Sequence, residues 1–215
     1  MTAPPGASVT FAAPGGLPPA VVAKSMNLVP RSGIVRIKPR GQKKFIDVRQ
    51  AAHIPAGATV DVSAGRADIT SARDERGVQQ TGQFSGGQFV LGYVRDAKER
   101  SPRWVTRLSL TPPAGCKGAT KNRSTGPAAK AARKKKKNGV WGDGKGNFRT
   151  QGKDGSASVR GTSWYTEQTC EGMFARVRRG AVDFRDFGLG VTVPLKAGES
   201  YRTGQGTQRS SRRSR

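Results

Sequence analysis

The chain is poor in the residue types on which catalytic and metal sites usually depend. Among its 215 residues there are one histidine, His53, two cysteines and 14 acidic residues. Two cysteines and one histidine do not supply the four ligands of a structural zinc site at recognised spacings. His53, the natural candidate for a general base, stands alone beside Ile54 and Pro55. We therefore expect no metal, no cofactor and no enzymatic activity.

Large apolar residues are scarce as well. Only 34% of the chain is hydrophobic and 7% aromatic, whereas glycine and proline supply 29 and 13 residues. This composition predicts a core that is small for the chain length, and therefore one modest domain that carries solvated segments. No run approaches the ~18 consecutive apolar residues of a transmembrane helix. Residues 1–19 also lack the basic start and the apolar stretch of a signal peptide.

Positive charge is what the chain has in excess. It holds 39 lysine and arginine residues, and its formal net charge at pH 7 is +25. Such an excess predicts attraction to polyanions, whether nucleic acid, an anionic lipid surface or an acidic cell-wall polymer. Two blocks without acidic residues concentrate the charge, and we expect both to be disordered because like charges repel. Their candidate polyanion-binding residues are Lys130, Arg133, Lys134, Lys135, Lys136, Lys137, Arg209, Arg212, Arg213 and Arg215.

The two cysteines stand in similar surroundings. Cys116 and Cys170 each follow a strand-like run and are flanked by glycine, in G-C-K-G and T-C-E-G. An even cysteine count at turn positions of a glycine-rich chain favours a disulfide formed in an oxidising compartment; the alternative is two unrelated thiols. The bond would close a loop of about 55 residues and stabilise the fold by roughly 4 kcal/mol in the chain-entropy treatment.

Alternating apolar and polar residues, bounded by glycine and proline, recur along most of the chain and predict β-strands. Examples are G-I-V-R-I-K from Gly33 and V-T-R-L-S-L from Val105. The Gly86-Gly87 pair between two such runs predicts a tight hairpin. The sequence thus predicts an all-β fold with a Pro/Ala-rich linker (1–30), a first β half (31–116), a basic disordered insertion (117–139), a second β half (140–203) and a basic tail (204–215).

The two β halves resemble each other. In the first, Gly33 opens a short strand, a second strand follows, and Ala56-Gly57 precedes a third; Gly180 and Ala197-Gly198 hold the same places in the second half. Repeated strand–turn units stack naturally, because each buries the face that its neighbour exposes. We therefore expect a solenoid-like or coiled stack of short antiparallel strands in preference to a sandwich.

Four strings of the sequence form a recognisable set. They are I-P-A-G-A-T-V in the first half, and V-R-G-T-S-W, V-R-R-G-A-V and L-K-A-G-E in the second. Together they resemble the FecR-like domain, the extracytoplasmic β domain of bacterial iron-dicitrate sensor regulators, over about residues 31–95 and 141–203. The matching positions of the second half are Val159, Arg160, Gly161, Thr162, Trp164, Val177, Gly180, Val182, Leu195, Ala197 and Gly198.

The resemblance implies a periplasmic, cell-wall or secreted domain that holds a partner and performs no chemistry. An extracytoplasmic location would require an export signal that is missing from this chain; otherwise we expect the cytoplasm. The sensor proteins of the family also carry an anti-sigma segment and a transmembrane helix, which this sequence lacks. Only the domain type is therefore carried over.

Two sequence patterns that occur in enzymes, a P-loop-like string and a pair of aspartates, do not indicate catalysis here. Residues 139–145 read G-V-W-G-D-G-K and satisfy G-x-x-x-x-G-K, but Gly146 stands where a P-loop needs a Ser or Thr to bind Mg²⁺. We expect a glycine-rich β-turn there. Asp183 and Asp186 lie three positions apart in a strand-like run, which would place their side chains on opposite faces of a sheet.

Binding is the function class that remains, and the sequence leaves two versions open. In the first, the β body contacts an unidentified protein or an anionic cell-envelope polymer, and the basic segments hold it to acidic polymer or anionic lipid. In the second, the basic segments bind nucleic acid through phosphate contacts, without reading its sequence. Trp141, Phe148 and Trp164 could stack on bases, but their positions in alternating strands predict burial in the core.

Overall fold

A computed structural model of the chain consists of β-strands and turns. It describes residues 8–13, 16–96, 103–113, 116 and 138–209, with the backbone alone at Asp96, Arg103, Arg160, Gln208 and Arg209. The strands are β1 (Thr10–Phe11), β2 (Ser25–Lys38), β3 (Ile46–Asp47), β4 (Ala52–Pro55), β5 (Thr59–Ala72), β6 (Gln79–Ser85), β7 (Gln88–Asp96), β8 (Arg103–Leu110), β9 (Asn138–Gln151), β10 (Gly155–Gln168), β11 (Met173–Arg179), β12 (Ala181–Asp186), β13 (Thr192–Lys196), β14 (Glu199–Arg202) and β15 (Gly206–Arg209).

The predicted all-β class is confirmed. Every regular element among the described residues is a strand. These residues accordingly include no helix long and apolar enough to cross a bilayer.

Five of the strands close into a barrel. Around its wall the order is β5, β6, β9, β8 and β7, and β7 pairs again with β5. Four of the five pairings are antiparallel, whereas β8 runs parallel to β9. Within the ring, β6, β7 and β8 are paired on both sides, whereas β5 and β9 use one side for the ring and pair on the other with β2 and β10, so none of the five leaves an open edge.

The remaining strands extend the sheet on either side of the barrel. On one side, β2 pairs with β5, β3 and β4 pair with β2, and β1 pairs with β4. β10 pairs with β9 and leads to β11 through β15. β2, β5, β9 and β10 have 14 residues each, and each of the four pairs with two different neighbours along its length on one side. The described strands therefore form one continuous sheet.

Two details differ from the expectations. The solenoid-like stack is not confirmed, because long-range pairing such as β6 with β9 closes a barrel. The element bounds also differ: β2 begins at Ser25 inside the predicted linker, β9 begins at Asn138 inside the predicted insertion, and β15 lies in the predicted tail. Disorder is predicted for residues 117–139 and 204–215; of these, residues 138–139 and 204–209 are described, whereas residues 117–137 and 210–215 lie outside the described residues.

The Gly86-Gly87 turn does not form the predicted hairpin. It joins β6 and β7, which pair with different parts of β5: β6 lies along residues 66–72 and β7 along residues 59–61. Val62 closes this corner, since its N–H donates to the Gly87 carbonyl and its carbonyl accepts from the Gly86 N–H, both at 2.8 Å. A Gly-Gly pair permits a sharp turn but does not determine which strands pair after it.

A bulge in β10 allows this strand to change partners. Up to Val159 it pairs with β12, and from Ser163 onward it pairs with β11. Gly161 lies between the two stretches with φ +70°, a left-handed conformation that glycine adopts without a steric penalty. Thr162 stabilises the bend, because its Oγ1 donates to the Ala181 carbonyl at 2.8 Å. The V-R-G-T string therefore contains the bend at which β10 leaves one neighbour for another.

The core is one cluster with four aromatic side chains at its centre. Phe84, Phe89, Phe148 and Trp164 are fully buried, and Phe84 contacts the other three with ring centroids between 5.5 and 6.1 Å apart. Glycines on the inner face of β9 make room for these rings: a Cβ at Gly142 would lie 2.6 Å from the Trp164 ring. The glycine content thus accommodates a compact aromatic core in a chain with few apolar residues.

The predicted disulfide is confirmed. Cys116 and Cys170 are bonded, with 54 residues of sequence separation and Cα atoms 5.2 Å apart. Cys170 lies in the β10–β11 turn, where the Thr169 hydroxyl donates to the Gly172 carbonyl at 3.0 Å. The bond therefore ties the chain that follows β8 to a turn of the second β half.

Candidate polyanion-binding surface

Most of the basic residues predicted to bind polyanions lie outside the described residues. These are Lys130, Arg133, Lys134, Lys135, Lys136, Lys137, Arg212, Arg213 and Arg215. Arg209 is the last residue of β15, and its backbone is paired with Glu199. The described residues nevertheless hold 25 of the 39 lysines and arginines and 13 of the 14 acidic residues. The folded body thus has its own excess of positive charge, which the sequence blocks do not account for.

A row of side chains on the outer surface of the sheet crosses five neighbouring strands. In order, it consists of Arg66 (β5), Ser85 (β6), Trp141 (β9), Tyr165 (β10) and Arg176 (β11), each directly opposite the next. Arg66, Trp141 and Arg176 are exposed, and the other two are half-buried. Adjacent strands lie about 4.8 Å apart, so the path along the curved sheet from the strand of Arg66 to that of Arg176 is roughly 19 Å.

Three aromatic rings and two guanidinium groups pack together at one end of this row. The Tyr165 ring lies between those of Trp141 and Phe174, with centroid distances of 5.1 and 6.4 Å. The guanidinium carbons of Arg202 and Arg176 lie 5.0 and 5.9 Å from the Phe174 centroid, within the range of a cation–π contact. We call the following six residues the aromatic–arginine face: Arg66, Trp141, Tyr165, Phe174, Arg176 and Arg202.

The charges of this face differ from those beside it. In the neighbouring row, Arg179 forms a salt bridge with Asp143 at 3.0 Å. Within the described part of the chain, by contrast, the three arginines of the face form no salt bridge with an acidic side chain. Their positive charge is therefore available to an anionic ligand.

One carboxylate lies at the edge of the face and is already engaged. The Tyr165 hydroxyl donates to Glu167 Oε2 at 2.8 Å, and the Glu167 side chain is largely buried. Burial, reinforced by this carboxylate, raises the pKa of Tyr165 well above its ordinary value. The face consequently presents a neutral phenol, which does not repel an approaching anion.

The alternation of apolar and polar residues did not predict this face, although the sequence of β9 contains one signal for it. Phe148 and Trp164 are buried as predicted, but Trp141 is 39% exposed, so its predicted burial is wrong. In β9, Trp141 is in phase with the exposed Asp143 and Lys145, and the glycines between them face the core. The alternation of glycine with polar residues, and not the aromatic residue itself, marks the outer face of this strand.

The same alternation explains the segment that resembles a P-loop. Residues 139–145 lie within β9, so the predicted glycine-rich turn is wrong. They pair with β10 on one side and, from Trp141 on, with β6 on the other. A Cβ at Gly144 would come within 3.0 Å of the Phe148 ring, which places that glycine in the core. These glycines therefore serve packing, and no cradle for a phosphate forms there.

No protein-family model, curated protein or solved structure matches the chain.

The positions of the FecR-like resemblance lie together around the bend in β10. Trp164 is opposite Val177, and Val182 is opposite both Val159 and Leu195. All of these side chains are buried, as is Thr162. Gly180 and Gly198, with φ +80° and +88°, lie in turns, Ala197 precedes Gly198, and Arg160 is described by its backbone alone. In this chain the set builds the core and the turns of the second half.

The candidate catalytic residues His53, Asp183 and Asp186 do not form a common site. His53 Nδ1 lies 2.6 Å from Asn27 Oδ1, and burial lowers the pKa of this histidine. Asp183 is exposed and Asp186 is buried, on opposite faces of β12 as expected. Among the described residues, no group of three or more His, Cys, Asp or Glu side chains could hold a metal ion.

A polar cavity of about 290 Å³ lies at the corner made by Gly86 and Gly87. Asp61 lines it, and this carboxylate accepts a hydrogen bond from Arg36 Nη2 at 2.7 Å and others from the Ser63 N–H and hydroxyl. Burial would raise the pKa of Asp61, but the hydrogen bonds from Ser63 and Arg36 outweigh it and hold the pKa below its ordinary value. Because its oxygens are engaged, Asp61 organises the corner and is not placed as a general base.

Proposed function

We propose that the protein is a non-enzymatic, extracytoplasmic binding module of the FecR-like type, which attaches to anionic polymers of the cell envelope. The observation that carries this proposal is the aromatic–arginine face, where three rings lie beside arginines that form no salt bridge within the described residues. Arginine attracts anionic groups, and aromatic rings contact the apolar faces of sugar rings. The basic segments outside the described residues add attraction of the same sign.

The dimensions of the face favour a polymer over a small anion. Arg66 and Arg176 lie on strands roughly 19 Å apart along the sheet, so a ligand that follows the row from one to the other is extended. The residues between them include two aromatic rings and one serine, which offer contact surface without opposing charge. A chain with repeated anionic groups fits this arrangement.

The disulfide supports the proposed compartment. Structural disulfides persist in oxidising environments, whereas cytosolic reductants keep thiols reduced. Both cysteines of the chain take part in the bond between Cys116 and Cys170. An envelope polymer is therefore the polyanion that we favour.

Nucleic acid is the second candidate, and the exposed rings are the observation that favours it. Aromatic side chains stack on bases with about 1–3 kcal/mol per base, and arginines bind phosphates. Trp141 and Tyr165 lie side by side on the face and could each accept a base. Single-stranded nucleic acid would then take the place of the envelope polymer.

A comparison of four probes tests the proposal. The oxidised full chain is titrated calorimetrically with polygalacturonate, a glycerol-phosphate polymer, oligo-dT and neutral dextran, at two salt concentrations. We expect the tightest binding to one of the two acidic envelope-type polymers, with affinity that falls steeply as salt rises. Tighter binding to oligo-dT than to both would replace the proposal by its alternative. Equal binding to dextran would show that charge is not the basis of recognition.

A further inference from the structure

The connection between β12 and β13 presents three large apolar side chains to solvent. Phe187, Leu189 and Val191 are 42%, 61% and 43% exposed, and Leu189 is the most exposed large hydrophobic residue of the described part of the chain. Scattered single hydrophobic residues are normal on protein surfaces, whereas a contiguous group marks an interaction site. These three residues lie within five positions of one short connection, which we call the 187–191 loop.

A buried carboxylate holds this loop in one conformation. Asp186 is only 1% exposed, and its Oδ1 accepts hydrogen bonds from the Gly188 and Leu189 N–H groups at 2.9 and 3.1 Å. The Asp186 N–H donates to the Val191 carbonyl at 2.9 Å and closes the loop. Since the backbone is fixed in this way, the apolar side chains are preorganised and lose little conformational entropy when they contact a partner.

Basic side chains flank the loop. The Phe187 N–H donates to the Asp154 carbonyl at 3.0 Å, so the loop lies against the β9–β10 turn, which contains the exposed Lys153. Arg185, also exposed, precedes Asp186 and is opposite Thr192 at the start of β13. Two carboxylates also lie nearby: Asp154 Oδ2 accepts from Gln168 Nε2 at 2.9 Å, and the exposed Asp183 lies two residues before Arg185. Because the described residues hold 25 lysines and arginines against 13 acidic residues, the body as a whole favours a partner surface that is negatively charged.

The small size of the loop favours a lipid surface over a protein as its binding partner. A stable protein interface buries about 800 Å² on each partner, more than the tip of a five-residue loop supplies. A bilayer requires no complementary shape: apolar side chains enter the boundary between head groups and acyl chains, and nearby lysine and arginine contact lipid phosphates. Exposed apolar side chains on a short loop, with the exposed Lys153 and Arg185 in the adjoining turn and strand, fit that boundary.

We propose that the 187–191 loop docks the protein onto anionic lipid bilayers. Phe187, Leu189 and Val191 insert between the head groups, while Lys153 and Arg185 contact the lipid phosphates. The proposal goes beyond polymer binding and does not depend on it, because the loop and the aromatic–arginine face share no residue.

Sedimentation with vesicles tests this docking. The oxidised full chain is mixed with vesicles of phosphatidylglycerol and phosphatidylcholine, and the bound fraction is measured against lipid concentration. We expect Leu189→Ser to lower the partition coefficient about tenfold, because it removes the most exposed apolar side chain from the contact. Ile34→Ser is the matched control, since Ile34 is 58% exposed on a different strand. It should bind as the unaltered protein does.

Leu189→Trp supplies a second measurement that does not depend on loss of binding. Its tryptophan emission should shift to the blue on addition of the anionic vesicles, beyond any shift in the unaltered protein. Equal partition of Leu189→Ser and the unaltered protein, no extra shift from Leu189→Trp, or no binding of the unaltered protein to the anionic vesicles would each overturn the proposal. None of these outcomes would affect polymer binding by the aromatic–arginine face, which remains separately measurable.

Discussion

Replacing both Cys116 and Cys170 by serine is expected to lower the free energy of unfolding by about 4 kcal/mol. The bond closes a loop with 54 residues of separation, which contains all of β9 and β10. Without the bond, the unfolded chain gains the conformational freedom of that loop. Small domains are stable by only about 5–15 kcal/mol, so the loss is a large share of the total. Urea titration of the double variant and the unaltered protein, without reductant, measures it.

Reductant provides the matched control. It should lower the stability of the unaltered protein to that of the double variant and leave the double variant unchanged. A double variant as stable as the oxidised protein would show that the bond contributes nothing to the fold.

Asp186→Ala is expected to cost about 3 kcal/mol or more. The Asp186 carboxylate accepts from the Gly188 and Leu189 N–H groups, from the Gly204 N–H at 3.2 Å and from the Tyr201 hydroxyl at 3.1 Å. Alanine would leave these donors without their acceptor at a buried site, and the turns on either side would loosen together. Denaturant titration at pH 7 measures the loss.

The loss of stability caused by Asp186→Ala should be largest at neutral pH and decrease as the pH falls. Burial would raise the pKa of Asp186, but hydrogen bonds from Leu189, Gly204, Tyr201 and Gly188 outweigh it and hold the pKa below its ordinary value. The carboxylate therefore contributes its full stabilisation above the unfolded-state pKa of about 4, and loses it as the pH falls through the folded-state pKa. The gap between the unaltered protein and Asp186→Ala should be full at pH 7 and narrow toward pH 3.

Asp183→Ala is the matched control for this prediction. Asp183 lies on the same strand, and its side chain is exposed. Its replacement should change stability by a few tenths of a kcal/mol at either pH. A gap for Asp186→Ala that is small at pH 7, or that stays constant down to pH 3, would contradict the role assigned to this carboxylate.

Local sequence patterns predicted the parts of this fold but not their assembly. The strands follow from alternation of apolar and polar residues, and the disulfide from the glycine-flanked positions of Cys116 and Cys170. The barrel depends on β6 pairing with β9, and this contact joins residues such as Phe84 and Gly142 that are far apart in the chain. No local rule encodes such a pairing, because the turn at Gly86-Gly87 permits more than one continuation.

Sequence patterns did not predict the aromatic–arginine face, for a related reason. Runs of lysine and arginine are visible in any sequence, so the basic blocks were the natural candidates. Arg66, Trp141 and Arg176 are isolated along the chain, and only the register of β5, β6, β9, β10 and β11 brings them into one row. The strings of the FecR-like resemblance are visible as well, but the residues of its three second-half strings build the bend in β10 and the core and turns beside it.

The affinity of a charge-matched pair of variants for an acidic polymer tests the central claim most directly. One variant removes the three arginines of the aromatic–arginine face: Arg66→Ala, Arg176→Ala and Arg202→Ala. The other removes three exposed lysines from other elements: Lys43→Ala, Lys44→Ala and Lys196→Ala. Both are titrated, in the oxidised state, with the polymer that the unaltered protein binds most tightly.

Both variants lose the same net charge, so a difference between them reflects where the charge was and the arginine chemistry of the face, which includes bidentate anion binding and contact with aromatic rings. We expect the arginine variant to bind at least tenfold more weakly than the lysine variant, and its slope of log affinity against log salt to be smaller. Equal affinities for the two variants would show that overall charge, and not the aromatic–arginine face, holds the polymer, and would contradict the account.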